Sequence, residues 1–352
     1  MVTTNNGGGQ MTMMKALQKR VAGPGLELCE VEIPSIRPDQ VLVKIEMAAI
    51  CGTDLHIYNW DTWSENRIRP PRTVGHEFTG RIVQLGKDVV GLREGMLVTA
   101  EGHFTCGRCY YCRTGQGHIC DDVKILGVDV DGIFAEYAAM DAKNIWPLKE
   151  DGDPAVGAIH DPLGNAVHAA YAHCLTGQNV VITGCGPIGL FCVALARQAG
   201  ARRIFASDVN DYRMDLAKKL GADYVVNAKE DDLAAIVHQV TGIGADILLE
   251  MSGSRQALAS GLDALRKGAA VSLLGIFSDR VDMDLDGVIF KQLTLYGING
   301  RRIFDTWFQM EAALEAGLDV GPVITHRFSF EEYEEAMALM NSGRCSKVLL
   351  LP

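Results

Sequence analysis

The chain has 352 residues, and because domains usually hold about 150 residues, two domains or one large one are expected. Lysine and arginine total 33, aspartate and glutamate total 44, the net charge is −11, and 48% of the residues are hydrophobic. This composition excludes a disordered or fibrous chain. The acidic charge argues against a nucleic-acid partner, which would need a basic surface.

The N-terminal sequence and the cysteine content indicate the cellular compartment of the protein. Ten cysteines are too few for a disulfide scaffold of this length. The N-terminal sequence lacks the basic segment followed by an apolar segment that is typical of a signal peptide, so a cytoplasmic protein is expected. Residues 1–13 include three consecutive glycines and show no apolar periodicity, which predicts a flexible leader.

One uncharged stretch could be mistaken for a membrane span. Residues 162–196 contain no Asp, Glu, Lys or Arg, but Asn179, Thr183, Pro187 and several glycines interrupt the run. A spanning helix needs about 20 predominantly apolar residues without such breaks. We therefore expect no membrane partner.

The first part of the chain, up to about residue 140, is predicted to be β-rich. Val41–Ile45 and Arg81–Leu85 are runs of apolar and β-branched residues that are typical of strands. Glycines punctuate this region into turns, which indicates an irregular antiparallel domain.

After about residue 163 the pattern changes to strands that alternate with helices. Strands are predicted over 179–183, 203–208, 223–227, 245–251 and 269–275, and helices over 188–198, 212–220, 232–241 and 256–266. Parallel strands need crossover connections, so this alternation predicts a parallel sheet with helices on both faces. Helices over 304–316 and 330–340 and a strand over 347–351 follow, and we expect them to return to the first domain.

These patterns predict the domain organisation. A β-rich domain is expected to comprise residues 14–163 and 300–352, and a parallel-sheet domain residues 164–299.

The segment from Gly184 to Gly189 fits the pattern GxGxxG, between a predicted strand and a predicted helix. The first glycine makes the tight turn, Gly186 lets the backbone approach a pyrophosphate, and Gly189 allows close packing of helix and strand. The helix N-terminus supplies N–H donors for the phosphates. Asp208 ends the next strand, 19 residues after Gly189, and this context predicts a dinucleotide site.

Asp208 favours NAD over NADP, because a carboxylate there accepts hydrogen bonds from the ribose 2′-hydroxyl and repels a 2′-phosphate. Arg202 and Arg203 could counter this preference, but they lie at the opposite end of the strand. Arg213, one turn into the following helix, either stacks near the adenine or is an ordinary surface arginine.

Four of the ten cysteines fall within 15 residues, at positions 106, 109, 112 and 120. Four thiolates at this spacing can surround a tetrahedral zinc ion with no open position, which is a structural site. Disulfides or an iron–sulfur cluster are the alternatives. We expect Cys106, Cys109, Cys112 and Cys120 to bind structural zinc and to carry no chemistry.

Three further pieces could form a reactive metal site: Cys51, the Gly75-His76-Glu77 turn, and Asp161. A catalytic zinc takes three protein ligands from cysteine, histidine and carboxylate and keeps one position open. Each piece has an ordinary structural interpretation as well, and Asp54 is expected to be structural rather than a ligand. The residues alone therefore leave this metal site open.

A resemblance to a known family makes these pieces specific. The chain resembles the zinc-containing medium-chain alcohol dehydrogenases, and within that family the members that oxidise threonine. The matching stretches are AICGTDLHIYNWDTW (49–63), VGHEFTGRIVQLG (74–86), CGRCYYCRTGQGHIC (106–120), DPLGNAVHAA (161–170), GCGPIGL (184–190), LLEMSG (248–253) and GINGRRIFDTW (297–307). The resemblance implies an α/β fold with a GroES-like β-rich catalytic domain and a Rossmann domain, a doubly wound parallel sheet that binds NAD.

The resemblance also implies roles for individual residues. Cys51, His76 and Glu77 would be the ligands of a catalytic zinc, with Asp161 as a fourth ligand or in exchange with substrate or water. Thr53 and His56 match the proton-relay positions. The cofactor-binding residues would be Gly184, Gly186, Ile188, Gly189, Asp208, Arg213, Leu274, Gly275, Ile276, Ile298 and Asn299.

The substrate contacts are less defined than the metal and cofactor contacts. His103 either faces the substrate or is a solvated loop histidine. Arg301 and Arg302 either bind the charges of an amino-acid substrate or are solvated or paired structurally.

The implied activity is NAD-dependent oxidation of the secondary hydroxyl of L-threonine to 2-amino-3-oxobutanoate by zinc-assisted hydride transfer. Two zinc ions per subunit, one catalytic and one structural, and a homotetramer are implied as well. The alternative is a polyol or 2,3-diol dehydrogenase of the same family, and a remote alternative is a non-catalytic nucleotide-binding member.

Overall fold

The structure, a computed structural model, describes residues 13–352. The first strand begins at Met13, the last residue assigned to the leader. The rest of the predicted leader, residues 1–12, lies outside the described residues.

Short strands dominate the first part of the chain. They are β1 Met13–Lys19, β2 Glu27–Glu32, β3 Gln40–Ala49, β4 Arg72–Thr73, β5 Glu77–Leu85, β6 Leu97–Ala100, β7 His103–Phe104, β8 Lys124–Ile125, β9 Tyr137–Asp141 and β10 Ile145–Pro147. Four helices accompany them: α1 Gly52–Asn59, α2 Thr62–Arg67, α3 Tyr110–Arg113 and α4 Pro154–Gly157. The predicted strands at 41–45 and 81–85 lie within β3 and β5, which are antiparallel neighbours.

Helix α5, His160–Ala170, connects this part to the next. The predicted domain boundary between residues 163 and 164 falls inside it. Nine of its 11 residues are buried, since the helix packs between the two units.

A parallel sheet follows. Its strands are β11 Asn179–Thr183, β12 Arg203–Asp208, β13 Tyr224–Asn227, β14 Ala245–Glu250, β15 Leu265–Leu273 and β16 Thr294–Gly297, in the order β13-β12-β11-β14-β15-β16. The helices are α6 Pro187–Gln198, α7 Asp211–Lys219, α8 Leu233–Thr241, α9 Arg255–Asp263 and α10 Leu285–Phe290. Every neighbouring pair of strands is parallel, so the predicted doubly wound sheet is confirmed.

One boundary in this sheet differs from the prediction. The helix predicted to run to Arg266 ends at Asp263, and β15 starts at Leu265 rather than at Ala269. Leu265 pairs with Ala245 of β14, and this long-range pairing overrides the local helical pattern. Strand β16 and helix α10 were not predicted.

The C-terminal segment contains α11 Asp305–Glu315, β17 Ile324–Ser329, α12 Tyr333–Ser342 and β18 Lys347–Leu351. Strand β18 pairs with β17 and with β3, which completes a sheet of order β10-β6-β5-β3-β18-β17 with β9 beside β3. The C-terminal segment therefore returns to the first sheet, as predicted. The helix predicted over 330–340 begins as a short 3-10 turn at Phe330–Glu332 and continues as α12.

Two large apolar cores hold the fold. One lies within the β-rich part, and the other joins the parallel sheet to α5 and α11, where Trp307 is completely buried. The uncharged stretch 162–196 divides among α5, β11 and α6. Within residues 13–352, no helix is long and apolar enough to span a membrane.

Candidate metal and cofactor site

The end of β3 and the start of β5 bring three metal-binding side chains together. The two strands are antiparallel, and Ala49 pairs with Glu77, so Cys51, just after β3, lies beside His76, just before β5. One ligand atom from each of Cys51, His76 and Glu77 lies within 4.8 Å of the others. These are the residues for which the family resemblance implied a catalytic zinc.

Asp54 supports two of these residues from behind. It is completely buried, and its Oδ2 accepts a hydrogen bond of 2.9 Å from the backbone N–H of Cys51. Its Oδ1 lies 3.8 Å from Nδ1 of His76, and neither atom has a hydrogen-bond partner among the described residues. Metal-binding histidines usually have a carboxylate on the second ring nitrogen. Asp54 thus has the predicted supporting position.

The groups around His76 favour a positive charge at this site. Burial by itself would lower the pKa of His76, but Asp54 and Cys51 raise it to about 10. The imidazole would then hold a proton that a divalent cation can replace. A thiolate, an imidazole and a carboxylate are ligands that zinc prefers, so the residues fit the metal.

Lys347 forms an ion pair with Glu77. Its Nζ donates to both carboxylate oxygens of Glu77, at 2.6 Å for Oε1, and to the carbonyl oxygen of Ile50 at 3.0 Å. Both side chains are buried. Lys347 was not predicted from the sequence, because 270 residues separate it from Glu77. Only the pairing of β18 with β3 places it beside the metal-ligand group.

Asp161 lies in the first turn of α5. Burial lowers the pKa of His76 and raises that of Glu77, and the negative charge of Asp161 raises both. Its Oδ2 lies 2.7 Å from Nη2 of Arg301. Arg301 is completely buried and also pairs with Glu101. The structural interpretation of Arg301 is therefore the one that the contacts support.

Glu101 is a second buried carboxylate that the sequence analysis missed. Its Oε2 accepts a hydrogen bond of 3.0 Å from the indole of Trp307, and its Oε1 lies 2.7 Å from Nδ1 of His103. His103 is half-buried and held by this contact, so it is not a solvated loop histidine. Arg302, in contrast, is exposed, and its nearest carboxylate is that of Asp305 at 3.8 Å.

Thr53 and His56 lie on α1 between the metal-ligand group and the surface. Oγ1 of Thr53 is 3.8 Å from Sγ of Cys51. The ring of His56 is 61% exposed, and its Nδ1 contacts the carboxylate of Asp61. Asp61 also caps α2 by accepting from the backbone N–H of Ser64. The spacing of three residues from Asp61 to Ser64 is a helix N-cap pattern that could have been recognised in the sequence.

The four cysteines of the lobe at 106–120 also converge. Their sulfur atoms lie within 4.8 Å of one another, and all ten cysteines of the chain are free, which excludes the disulfide alternative. Backbone N–H groups point at the sulfurs, and the N–H of Cys112 leads the contacts that lower the pKa of Cys109 to about 6. Four converging sulfurs, with the pKa of Cys106 and of Cys109 lowered by backbone N–H groups, fit a structural zinc.

The glycine turn has the geometry that the pattern predicts. A Cβ on Gly189 would lie 1.8 Å from the carbonyl oxygen of Gly184, whereas a Cβ on Gly186 would have no neighbour within 4 Å. Gly184 has a φ of +90°. The first and third glycines are thus required by the fold, and the second leaves its surroundings open to a ligand.

Asp208 ties the end of β12 to this turn. Its Oδ2 accepts a hydrogen bond of 2.6 Å from the N–H of Cys185, and its Oδ1 accepts from Val209 and Asn210. Arg213 is half-buried, and its Nε is buried without a partner among the described residues. The guanidinium of Arg213 is therefore only partly solvated.

The remaining cofactor candidates lie at the same edge of the sheet. Ile188 is in the first turn of α6, residues 274–276 follow β15, and Ile298 and Asn299 follow β16. Carboxyl ends of parallel strands meet at one edge, where open α/β sheets bind their ligands. Glu250, the buried last residue of β14, was missed; it accepts hydrogen bonds from the N–H groups of Ser252 and Gly253.

The comparison with known proteins identifies this arrangement. Residues 37–150 match the model of the alcohol dehydrogenase GroES-like domain, and residues 187–316 match that of zinc-binding dehydrogenases. The L-threonine 3-dehydrogenase of Symbiobacterium thermophilum is 48% identical, over 96% of this chain and 98% of the relative. That of Pyrococcus horikoshii is 45% identical over the same shares. The chain belongs to the zinc-containing alcohol dehydrogenase family.

Solved structures of the family have the same fold. Galactitol-1-phosphate dehydrogenase from Escherichia coli superposes with a TM-score of 0.88 at 28% identity, covering 96% of this chain and 100% of that one. A zinc-binding dehydrogenase from Sinorhizobium meliloti, bound to NADP, gives 0.88 at 28% identity over 97% and 100%. 2R,3R-butanediol dehydrogenase from Bacillus subtilis gives 0.87 at 25% over 96% and 99%. The predicted fold class and the predicted enzyme class are confirmed, and the shared fold does not choose among the substrates of these family members.

Two glycine substitutions should separate folding from cofactor binding. Gly186→Ala has room for its methyl group, so the melting temperature without cofactor should stay within about 2 °C of the original, while NADH affinity falls at least about tenfold because the methyl blocks the pyrophosphate. Gly189→Ala should lower both. Thermal unfolding and NADH fluorescence titration measure the two effects. Equal destabilisation by both substitutions would contradict the assignment.

The buried Glu101 predicts a pH-dependent stability. Burial opposes its ionisation, but Arg301, His103 and Trp307 hold its pKa at about 2, below the ordinary 4.5. Its stabilisation should be complete above about pH 5 and disappear as the pH falls toward 2. Glu101→Gln should therefore lower the free energy of unfolding by about 3 kcal/mol at pH 7, and by less at pH 3.

Urea unfolding at one protein concentration measures this difference. Glu315→Gln is the matched control, because Glu315 forms an exposed pair of 2.9 Å with Lys149 and its loss should cost less than about 1 kcal/mol. A difference for Glu101→Gln that stays constant from pH 7 to pH 3 would show that the stabilisation does not come from ionisation.

Proposed function

We propose that this enzyme oxidises the secondary hydroxyl of L-threonine with NAD⁺ and forms 2-amino-3-oxobutanoate, NADH and a proton. The observation that carries the chemistry is the group of Cys51, His76 and Glu77 within 4.8 Å of one another, in a chain whose second part is a Rossmann sheet. The substrate is supported by relatives that are 44–48% identical over nearly the full length and are L-threonine 3-dehydrogenases.

Each subunit would hold two zinc ions. Cys51, His76 and Glu77 would bind the catalytic ion, with Asp161 as a fourth ligand or in exchange with substrate or water. Cys106, Cys109, Cys112 and Cys120 would bind the structural ion. When bound, zinc supplies a Lewis acid that lowers the pKa of the substrate hydroxyl, and NAD⁺ supplies the acceptor for its hydride.

Thr53 and His56 would move the proton. Oγ1 of Thr53, beside Cys51, accepts the hydroxyl proton and passes its own toward His56. Asp61 contacts Nδ1 of His56 and so fixes the orientation of the ring. Since the ring is largely exposed, the proton then leaves to solvent.

The cofactor would lie along the carboxyl edge of the parallel sheet. Gly184, Gly186, Gly189 and the N-terminus of α6 would bind the pyrophosphate. The carboxylate of Asp208 would accept the ribose hydroxyls, which selects NAD over NADP. The remaining contacts would come from Ile188, Arg213, Leu274, Gly275, Ile276, Ile298 and Asn299.

We also infer a cytoplasmic homotetramer. Ten free cysteines suit a reducing compartment. Strand β16 is the last strand of its sheet, and Ile276, Leu285, Ile289 and Phe290 near it are 62–93% exposed. An open strand edge with apolar neighbours favours pairing with a second copy. The family resemblance extends the expectation from a dimer to a tetramer.

Activity on zinc-loaded protein tests the substrate. NADH formation, followed by absorbance, should be rapid with L-threonine and weak with D-threonine, sorbitol and 2,3-butanediol. Cys51→Ser should reduce it about a thousandfold or more, because the ligand set loses its thiolate, and should remove one of the two zinc ions. Cys174→Ser, at an exposed cysteine, should change neither. Activity on sorbitol or butanediol alone would replace threonine by a polyol or diol.

Light scattering tests the assembly. The double substitution Ile289→Lys with Phe290→Glu places charges on the proposed contact and should reduce the molar mass from that of a tetramer. Val90→Glu is the control, because Val90 is 89% exposed in the other domain and its change should leave the mass unaltered. An unchanged mass for the double variant would place the subunit contact elsewhere.

A further inference from the structure

A row of polar side chains leads away from the metal-ligand group along helix α5. Asp161, Asn165 and His168 are spaced four and three residues apart, so they share one face of the helix. Asn165 lies about 6 Å along the axis from Asp161. The facing segment is 300–302, because Nδ1 of His168 donates to the carbonyl oxygen of Gly300 at 2.9 Å. This face therefore extends from the reacting end of the site.

Two polar atoms along this row are buried and have no hydrogen-bond partner among the described residues. They are Oδ1 of Asn165 and Nδ1 of His118. His118 belongs to the cysteine lobe, and its ring meets that of His168 edge to face, with 5.7 Å between the centroids. Buried polar atoms are almost always hydrogen-bonded, and an unpaired one costs free energy. A bound ligand that supplies both partners explains the pair.

Gly300 leaves a small clearance beside Asn165. A Cβ at this residue would have as its nearest neighbours Cε1 of His103 at 3.8 Å and Oδ1 of Asn165 at 4.0 Å. These are ordinary van der Waals distances. The space in front of Gly300 therefore admits a methyl-sized group between the amide of Asn165 and the ring of His103.

The charges around the row differ between its two ends. At the end of Asn165 a carbonyl oxygen is free to accept, and the two nearby carboxylates of Asp161 and Glu101 share a single cation, Arg301, which leaves this end negative. At the other end, His168 donates to Gly300, which lies two residues before the exposed cation of Arg302. A cationic donor suits the first end, and an anionic acceptor suits the second. An α-amino acid carries both groups on one carbon.

We propose that Asn165 and His118 form the subsite for the amino-acid end of the substrate. Oδ1 of Asn165 accepts from the α-ammonium, and a ring N–H of His118 donates to the α-carboxylate. The proposal rests on the proposed function, since it requires the reacting hydroxyl to lie at the metal-ligand group. The cysteine lobe then has a role beyond stability, because it carries a substrate-binding residue.

Substrate analogues test each contact separately. Asn165→Leu and His118→Phe should each lower kcat/KM for L-threonine by about 10- to 100-fold, mainly through KM, because each removes a hydrogen bond to a charged group. With (R)-3-hydroxybutanoate, which lacks the ammonium, Asn165→Leu should have no effect. With L-threonine amide, which lacks the carboxylate, His118→Phe should have none. His118→Gln, which keeps an N–H donor, should recover most of the lost activity.

Controls separate binding from folding. His238→Phe replaces an exposed histidine of α8 and should behave like the original enzyme. NADH affinity and zinc content should stay within twofold in all variants. A second readout is the binding of L-threonine to the enzyme–NADH complex, measured by NADH fluorescence, which both substitutions should weaken by the same factor as KM.

The outcomes distinguish this subsite from the reaction itself. Equal losses on all three substrates would overturn the subsite and leave threonine oxidation intact. Binding of L-threonine to the NADH complex that depends on Asn165 and His118, without turnover, would support the subsite and refute the proposed reaction. An original enzyme that neither binds nor oxidises L-threonine would refute both.

Discussion

The site depends on two buried cations that come from the C-terminal part of the chain. Lys347 pairs with Glu77, and Arg301 joins Asp161 to Glu101. Each of these carboxylates would be costly to bury without its cation. The buried charges of the site are therefore balanced only with the C-terminal segment in place beside the first sheet, and these ion pairs couple the two ends of the chain.

The returning C-terminal segment also packs against both domains. Strand β18 completes the β-rich sheet beside β3, while α11 and α5 pack into the core of the parallel sheet. Helix α5 belongs to both units. It places Asp161 at the metal-ligand group and directs Asn165 and His168 along the same face, so one helix connects the reacting end of the site with its substrate-binding end.

Charge explains why these particular side chains are combined. The thiol of Cys51 and the carboxylates of Asp54, Glu77 and Asp161 surround one imidazole, and their negative charge favours a cation at the centre. Lys347 and Arg301 balance part of this charge from outside the ligand group. The cysteine lobe is a separate centre, but it lies close enough to bring His118 against α5.

Local patterns in the sequence determined the parallel sheet, the glycine turn and the four-cysteine cluster, whereas the candidate ligands of the catalytic zinc came from the family resemblance. Strand periodicity, turn geometry and metal-ligand spacing extend over a few residues, so they can be recognised directly in the amino-acid sequence. The start of β15, strand β16 and the buried partners Lys347 and Glu101 were not predictable in this way. Lys347 lies 270 residues from Glu77, and no local pattern marks it as a buried counter-ion. Only the tertiary structure decided which charges share one low-dielectric site, because burial and long-range strand pairing determine that choice.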